Sequence, residues 1–410
     1  MIAVEKGQPP EALETLENLT VQIIEDPIGF ECLKDEWTEL LDASASNCLF
    51  LTWEWLYTWW KHLSAGRRLC LLTVRSGGEL VAIAPLALRP PQPTRLVPFH
   101  ALEFLGMDNV GSDYLDVIVR RRREQEALQA LAESLTHEGV TLELAQLTRG
   151  SCSAAALAAQ LGRRGWHLWE AQTNVCPFIK LSGHSWQSYL ATLGPEHRYN
   201  FHRRLRNLTK QFDVRFEQAL TEEQRREALD LLVTLHNMRW GVRGGSNAFN
   251  TPSLRAFHEE LSRLALQRSW LRLFILRLDG QPAAALYGFR YRRTFYFYQS
   301  GFDPNYSKYS VGLVSMGLAI KSAIEEGAED YDLLRGDESY KFQWARETRE
   351  LARLELYPPH LRGFLCKRAA GLSRTARSMA RRVLPKPLVD RIVTGRGLTL
   401  GNRRYAAAAR

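Results

Sequence analysis

Two acids, a phenol and an amine follow a short apolar segment in the C-terminal half of the chain. The segment Tyr331–Trp344 reads YDLLRGDESYKFQW and contains Asp337, Glu338, Tyr340 and Lys341. Such residues can accept or donate a proton and can stabilise negative charge that develops in a reaction. The acids suit the first task. Lys341 suits charge stabilisation or binds a substrate phosphate, and Tyr340 would contact the substrate.

The same residues also fit a structural interpretation. A helix that begins at Asp337 would hold both acids in its N-cap and first turn and would leave Lys341 in solvent. The catalytic interpretation predicts that Lys341→Ala loses turnover while the fold survives. The structural interpretation predicts unchanged kinetics.

A histidine and an arginine lie three residues apart in the segment 222–240, which has the pattern of a long helix. His236 and Arg239 would share one helical face, next to Trp240. Histidine has the side-chain pKa best suited to a base near neutral pH. We therefore predict a catalytic role for His236 and acceptor contacts for Arg239 and Trp240. The alternative is that His236 and Arg239 only cover the last carbonyl groups of the helix before Gly241.

The segment 294–344 has the order of a strand, a loop, a helix and a second strand. This spacing predicts a crossover with two parallel strands, 294–301 and 331–336, and a helix from about Ser310 to Glu326. A helix N-terminus offers free backbone N–H groups and the positive end of a dipole, which suits a pyrophosphate. The candidate donor-binding residues of this loop and strand are Tyr298, Ser300, Ser307, Lys308, Tyr309, Ser310, Val311 and Gly312.

Several stretches of the sequence resemble one known superfamily. SGFDPNYSKYSVG and AIEEGAEDYDLLRGDESYKFQWA resemble the GNAT superfamily. They are most similar to the acetyltransferase-like domains of CelD-type polysaccharide-biosynthesis proteins, which are related to the Fem-type aminoacyl transferases. LHNMRW and GGSNAF extend this resemblance, which is close over residues 195–344. FLTWEWLYTWW and GSDYLDVIV are similar to the usual first half of such proteins.

The resemblance implies an α/β N-acyltransferase of two GNAT-like halves, each a mixed sheet flanked by helices, of which only the second keeps the site. Acyl-CoA, with an acetyl or longer acyl group, would be the co-substrate and would lie where the two parallel strands separate, with no metal. The acceptor would be an amine of a cell-envelope, polysaccharide or lipid precursor, either a small molecule or lipid-linked. This assignment predicts no specific nucleic-acid partner.

The loop before the helix departs from the superfamily's pattern. The usual sequence is Gln/Arg-x-x-Gly-x-Gly/Ala, and the same register here holds Ser307, Ser310 and Gly312, so only the last glycine is kept. Two alternatives therefore stay open. One is a Fem-type transferase that uses aminoacyl-tRNA, although the sequence has no run typical of an inserted coiled-coil hairpin. The other is a non-catalytic GNAT-like binding subunit of an envelope-synthesis complex, against which the acid, tyrosine and lysine cluster argues.

Two predicted hairpins of equal length, starting at Leu69 and Leu271, align without gaps and favour an internal duplication. The predicted organisation is an acidic lead at residues 1–18, a degenerate N-terminal GNAT-like domain at 19–175, a C-terminal acyltransferase domain at 176–360 and a basic tail at 361–410. In the first domain we also predict one helix from Pro27 to about Asp42 and a strand at Tyr114–Val119.

The net charge of +9 is concentrated in the tail, which has thirteen Lys or Arg residues and one acid. The tail predicts an amphipathic helix whose apolar side holds Leu361, Leu365, Leu372, Ala376, Met379 and Val383. A basic helix of this kind lies in a membrane interface. A helix docked on its own domain and a basic end without fixed structure are the alternatives. No apolar run reaches the roughly 18 residues that span a bilayer, so we predict a cytoplasmic protein with peripheral contact at the inner membrane face.

A second basic stripe is predicted on the helix that begins at Pro195. Arg203, Arg206 and Lys210 fall on one side of it. The stripe suits phosphates of a nucleotide sugar, a lipid head group or tRNA. A solvated helix face is the alternative interpretation.

Overall fold

The computed structural model describes residues 19–91, 99–107, 110–150, 152–241 and 248–383. The strands in these ranges are β1 (Leu19–Ile24), β2 (Arg68–Ser76), β3 (Glu79–Arg89), β4 (Ala101–Phe104), β5 (Ile118–Val119), β6 (Thr141–Thr148), β7 (His167–Lys180), β8 (Val214–Gln218), β9 (Leu271–Leu278), β10 (Gln281–Tyr291), β11 (Thr294–Phe302), β12 (Asp330–Asp332) and β13 (Glu347–Tyr357). The helices are α1 (Pro27–Cys32), α2 (Lys34–Ala43), α3 (Trp53–Leu63), α4 (Glu124–Glu138), α5 (Ser153–Arg163), α6 (Trp186–Thr192), α7 (Pro195–Gln211), α8 (Glu222–Gly241), α9 (Pro252–Gln267), α10 (Val311–Glu325) and α11 (Leu361–Val383).

These strands form one sheet. Its order is β1-β2-β3-β4-β6-β13-β7-β12-β11-β10-β9-β8, and β5 pairs with β3. The first half contributes the antiparallel strands β1-β2-β3 and then a parallel pair, β4 and β6, with α4 between them in the chain. The second half repeats this order with β8-β9-β10 and then β11 and β12 around α10. The α/β fold class with a mixed sheet flanked by helices is confirmed.

The last described strand crosses into the first half. β13 lies between β6 and β7 and is antiparallel to both, and β7 in turn pairs with β12. The sheet is therefore continuous from one half to the other. The predicted domain boundary at 175/176 falls inside β7, and the division into two domains stays a proposal.

Alternate residues of the second-half strands face two different helix layers, as the pleat of a strand requires. Tyr287 and Tyr298 pack in a core that also contains residues of α8, α9 and α3. Leu286 and Phe297 point to the opposite layer and pack with α6, α7 and α10. The sheet therefore holds α8 on one face and α10 on the other, and both reach the same end of β11.

Two element predictions for the first half need correction. The single helix predicted from Pro27 is two helices, α1 and α2, which meet at Leu33. The strand predicted at 114–119 is reduced to β5 because Tyr114 has a left-handed backbone, with φ 59°. A residue in that conformation interrupts an extended strand.

Two predictions around β12 are also wrong. The strand predicted at 331–336 ends at Asp332, whose carboxylate accepts the N–H of Leu334 at 2.8 Å, while Leu334 itself is left-handed with φ 56°. The alternative interpretation placed a helix at Asp337, but between β12 and β13 the structure has only a 3-10 turn, at Lys341–Gln343. The residues after β12 therefore leave the sheet as an irregular segment.

The predicted helix of the tail is present as α11. Among the helices of the described residues, none is long and apolar enough to cross a membrane. The acidic lead at 1–18 and the rest of the tail at 384–410 lie outside the described residues.

Candidate active site

A cavity of about 830 Å³ opens where two parallel strands separate. β11 and β12 are paired only over Thr294–Tyr296 and Asp330–Asp332. β11 then continues to Phe302, whereas the chain after β12 turns away at Leu334. Residues from both diverging segments line the cavity. This is the place at the end of parallel strands where open α/β sheets bind ligands, and it is where the sequence predicted the donor.

The first turns of α10 face this cavity. Gly312, Leu313, Ser315 and Met316 contribute to its lining. Ser310 caps the helix with a left-handed backbone, φ 58°, and gives no side-chain hydrogen bond to the first turn. The hydroxyl of Ser315 is buried and has no hydrogen-bond partner. A helix N-terminus with an unsatisfied hydroxyl offers hydrogen bonds to a ligand rich in acceptors, such as a pyrophosphate.

The predicted donor-binding residues divide into two groups. Tyr298, Ser300 and Gly312 line the cavity, and the loop residues 307–311 do not. Within that loop the Lys308 ammonium lies 4.9 Å from the centre of the Tyr309 ring. The hydroxyl of Ser307 donates to the backbone of its own 3-10 turn, and Ser310 supplies only its backbone conformation. Val311 is buried in the core between α7 and α10.

His236 of α8 is held against β11. Its Nδ1 lies 3.0 Å from the carbonyl oxygen of Ser300, which can only accept, so this nitrogen carries the hydrogen. Burial lowers the pKa of the imidazole. His236 is therefore neutral near pH 7, with Nε2 as its basic atom. Gly301 makes this approach possible, because a Cβ there would overlap the backbone of His236.

Arg239 lies one turn further along α8. Its guanidinium donates to the hydroxyl of Ser300 at 2.8 Å and lies 5.4 Å from the Trp240 ring and 5.2 Å from the Phe302 ring. Arg239, Trp240 and Tyr340 all line the cavity, so the structure brings the three predicted acceptor-contacting residues together. Burial raises the pKa of Tyr340 to about 12, which keeps this phenol protonated.

Lys341 is buried and fully paired. Its ammonium donates to the carbonyl oxygens of Leu334 at 3.1 Å and Arg335 at 2.7 Å and lies 3.0 Å from the Glu338 carboxylate. Since a lysine has three N–H donors, each has an acceptor. The alternative interpretation, which left Lys341 in solvent, is wrong: its side chain is only 4% exposed. Lys341 and Glu338 line the cavity, and Asp337 is exposed outside its lining.

One glycine allows the segment after β12 to close around Lys341. Gly336 has φ 128°, and a Cβ there would overlap the Glu338 carboxylate and lie 2.8 Å from the Lys341 ammonium. A side chain at this position would therefore be strained and would displace the ion pair.

The first half of the chain supplies a wall that the sequence analysis missed. Val110, Gly111 and Asp113 line the cavity, and the Tyr298 hydroxyl donates to the carbonyl oxygen of Val110. Asp113 is fully buried, and its carboxylate accepts the backbone N–H of Arg335 at 2.9 Å. Burial raises the pKa of Asp113 to about 6, although the Arg335 charge opposes the shift. An acid with such a pKa inside a cavity is a candidate for proton transfer.

A buried network holds the segment that carries Asp113. The Tyr114 hydroxyl donates to the Asp332 carboxylate at 2.7 Å. Arg349 donates to Asp332 at 2.7 Å and to Asp330 at 2.6 Å, with its guanidinium 3.8 Å from the centre of the Phe178 ring. This network fixes the position of the first-half segment relative to β12, which borders the cavity.

Comparison with known proteins supports this description. Residues 195–342 match the family model described as an acetyltransferase (GNAT) domain. A search of curated proteins found no match. Among solved structures, FemX is similar with a TM-score of 0.55 and 13% identity, over 78% of this chain and 95% of that one. The C-terminal domain of a putative lysylphosphatidylglycerol synthetase from Agrobacterium fabrum has a TM-score of 0.51 and 10% identity, over 85% of this chain and 96% of that one. A conserved protein of unknown function from Bacteroides thetaiotaomicron has a TM-score of 0.52 and 15% identity, over 82% and 99%.

At these identities the solved structures show a shared fold. Together with the cavity between diverging parallel strands, the matched domain defines the class: the protein is an acyltransferase whose residues 195–342 form an acetyltransferase (GNAT) domain, and its fold resembles that of FemX. The resemblance predicted from the sequence is confirmed. No group of three or more His, Cys, Asp or Glu residues in the described ranges could hold a metal ion.

Proposed function

We propose that this protein transfers an acyl group from acyl-CoA to an amine of a cell-envelope, polysaccharide or lipid precursor. The observation that carries the proposal is the cavity between β11 and β12, because it also contains the first turns of α10. The pyrophosphate of CoA would lie at Gly312 and near the unsatisfied hydroxyl of Ser315. The acyl thioester would extend from there along β11 towards Ser300.

The acceptor amine would lie on the opposite side of the cavity, between the first-half wall and α8. There the lining offers Asp113, Arg239, Trp240 and Tyr340. Aromatic rings with a few polar groups are typical of small-molecule sites. The guanidinium of Arg239 suits an anionic group of an acceptor, such as a phosphate.

The reaction needs one proton transfer at each end. The amine nitrogen attacks the thioester carbonyl carbon, the C–N bond forms and the C–S bond breaks. The amine proton passes to a base, and the CoA sulfur leaves and ends as a thiol. We assign the base to Asp113, because its carboxylate is ionised at neutral pH yet binds a proton far more tightly than an exposed aspartate.

The four residues predicted as catalytic from the sequence have different places in this proposal. His236 positions Ser300 through its hydrogen bond to the carbonyl oxygen, and Nε2 makes it the alternative base. Lys341 and Glu338 hold the segment after β12 in place. Asp337 has no task in the proposed mechanism.

A thermal-shift screen tests the donor. Saturating acetyl-CoA, long-chain acyl-CoA and free CoA should raise the melting temperature, because a ligand at about 100 times its Kd adds roughly 2.7 kcal/mol to the free energy of unfolding. Gly312→Leu should abolish the shift, since its side chain would point at Phe302 and fill the donor end. Gly162→Leu in α5 is the matched control, because its Cβ meets open space. No shift with any CoA compound would exclude CoA as donor.

A second donor, aminoacyl-tRNA, is favoured by one observation. The exposed Arg203, Arg206 and Lys210 lie on α7, and Arg204 of the same helix donates to the carbonyl oxygen of Lys308 at 2.9 Å, beside the loop before α10. A basic face next to the donor end suits a polyphosphate backbone. Aminoacyl-tRNA is therefore included in the same screen. A shift with it and none with CoA compounds would replace the donor.

A lipid-linked acceptor draws support from the name of one similar structure. The Agrobacterium protein is called a putative lysylphosphatidylglycerol synthetase, a name that refers to an aminoacylated lipid. For this chain we propose a small or lipid-linked amine, with the protein in the cytoplasm and in peripheral contact with the inner membrane face through the basic tail.

A further inference from the structure

The helix α11 exposes a row of large apolar side chains to solvent. Leu361, Leu365, Leu372 and Met379 are 74%, 52%, 64% and 62% exposed. Their spacings of four, seven and seven residues put them on one side of the helix. We call these four residues the apolar stripe. A helix that docked on its own domain through its apolar side would bury them, so that alternative does not describe α11.

The opposite side of α11 is attached to the protein. Arg374 donates to the Glu355 carboxylate of β13 at 2.5 Å, and its guanidinium lies 4.0 Å from the centre of the Trp169 ring of β7. Gly363, on the same side of the helix as Arg374, is buried, and a Cβ there would overlap the carbonyl oxygen of Pro358. These contacts determine which side of α11 faces outward, and it is the side with the stripe.

The charge of α11 selects the partner. The segment Leu361–Val383 has seven Lys or Arg residues and no acid. Arg362 and Arg368 are exposed around the first part of the stripe, and the Arg368 guanidinium lies 5.0 Å from the centre of the Phe364 ring. A second copy of the same helix would bring like charges together. An anionic lipid surface attracts the cations and accepts the apolar side chains between them.

We infer that α11 is a lipid-docking helix whose apolar stripe enters the interface of an anionic membrane. α11 then lies along the membrane plane, and β13 and the rest of the sheet stay on its aqueous side. The inference deepens the proposed contact with the inner membrane face. Its link to a lipid-linked acceptor rests on the proposed function, whereas binding itself is measured without donor or acceptor.

Vesicle co-sedimentation of the full chain tests the inference. Wild-type protein should pellet with vesicles that contain phosphatidylglycerol and at least tenfold less with pure phosphatidylcholine. Leu365→Glu with Leu372→Glu should lower the bound fraction on anionic vesicles at least tenfold. The matched control is Leu220→Glu, which changes a side chain of similar exposure, 69%, before α8 and should bind like the wild type. Circular dichroism verifies that each variant is folded.

A second variant keeps the test decisive if the double glutamate variant does not fold. Replacing Arg362 and Arg368 by Gln removes only charge beside the stripe and should weaken binding to anionic vesicles, with a smaller dependence on salt. Equal pelleting of wild type and folded variants would overturn the inference. So would light scattering that shows a wild-type dimer, lost in the variant, with no vesicle binding. Acyl transfer to a soluble amine is assayed separately. Its result tests the proposed function and does not depend on vesicle binding.

Discussion

The two halves of the molecule contain the same parallel pair of strands, and only one pair opens into the candidate active site. In the first half, β4 and β6 pair over Ala101–Glu103 and Thr141–Glu143. In the second half, β11 and β12 pair over an equally short stretch and then diverge around the cavity. The topology is therefore not what distinguishes them. What differs is the chain that follows each pair.

Buried ion pairs and the chain that follows β4 lie around the first-half pair. Glu103 and Glu143 are buried, and Arg67 and Arg89 contact them at 2.7 and 2.9 Å respectively. Beyond the last pair, the backbone N–H of Leu115 donates to a β6 carbonyl oxygen. The segment that occupies this place also carries Asp113 into the second-half cavity. The first half has a cavity of about 830 Å³ of its own, lined by Asp116, Glu124 and Thr148 among others, and it supplies a wall and a candidate base to the second-half cavity.

The largest expected effect comes from Asp113, the first-half residue that lines the second-half cavity. Asp113→Asn keeps the shape of the side chain and removes the proton acceptor, so kcat/KM should fall by about 10²–10⁴-fold. Wild-type activity should decline below about pH 6 as the carboxylate protonates. Steady-state kinetics from pH 5 to 8 measure both effects. Wild-type turnover and an unchanged acidic limb in the variant would remove Asp113 from the mechanism.

The same substitution, Asp113→Asn, should raise the stability of the fold although it lowers activity. The folded pKa of Asp113 is raised from its usual 3.8 to about 6. Its contribution is therefore complete below about pH 4 and is lost as the pH rises through about 6. At pH 7 Asp113→Asn should raise the free energy of unfolding by about 1–3 kcal/mol. Asp116→Asn is the control for chemistry, because that buried carboxylate accepts the N–H groups of Ser153 and Ala154 and lies outside the cavity lining, so kcat/KM should not change.

The next largest effect concerns Lys341, which holds the segment after β12 in place beside the second-half cavity. Lys341→Ala leaves the carbonyls of Leu334 and Arg335 without their buried donor. Turnover should fall, and the free energy of unfolding should fall by about 2–4 kcal/mol, so the fold is weakened as well. Lys321→Ala, which removes an exposed lysine from α10, should change stability by about 0.5 kcal/mol or less. Denaturant titration measures the change in stability, and steady-state kinetics measure the change in kcat/KM. A Lys341→Ala protein as stable as the wild type would contradict the prediction.

Local patterns predicted much of the second half. Apolar spacing and caps located α8, α9 and the β9–β10 hairpin, and the crossover from β11 through α10 to β12 is parallel as expected. A cavity lies between these strands, where the family resemblance implied the donor, and His236, Arg239 and Tyr340 line it, although their roles stay predictions. These predictions succeed because each depends on neighbours within a few turns of chain.

The failures have a common physical cause in long-range contacts. Asp113 meets Arg335 across more than 200 residues, and nothing in GSDYLDVIV marks its carboxylate as a cavity wall. The insertion of β13 between β6 and β7 is equally non-local. Lys341 is buried because the left-handed turn at Leu334 directs backbone carbonyls towards it. A turn of that kind is uncommon for leucine and carries no sequence signal.

The smallest expected effect tests whether the network between the halves positions Asp113. Tyr114→Phe removes one hydrogen bond, the 2.7 Å bond to Asp332, and leaves the ring in place. The free energy of unfolding should fall by about 1 kcal/mol. A displaced base slows the chemical step and leaves acceptor binding unchanged, so kcat should fall about fivefold at constant KM. Tyr57→Phe is the matched control, because its hydroxyl bonds the exposed Glu31 far from the cavity. A change in KM alone, or equal kinetics in both variants, would show that the network serves stability and not the position of Asp113.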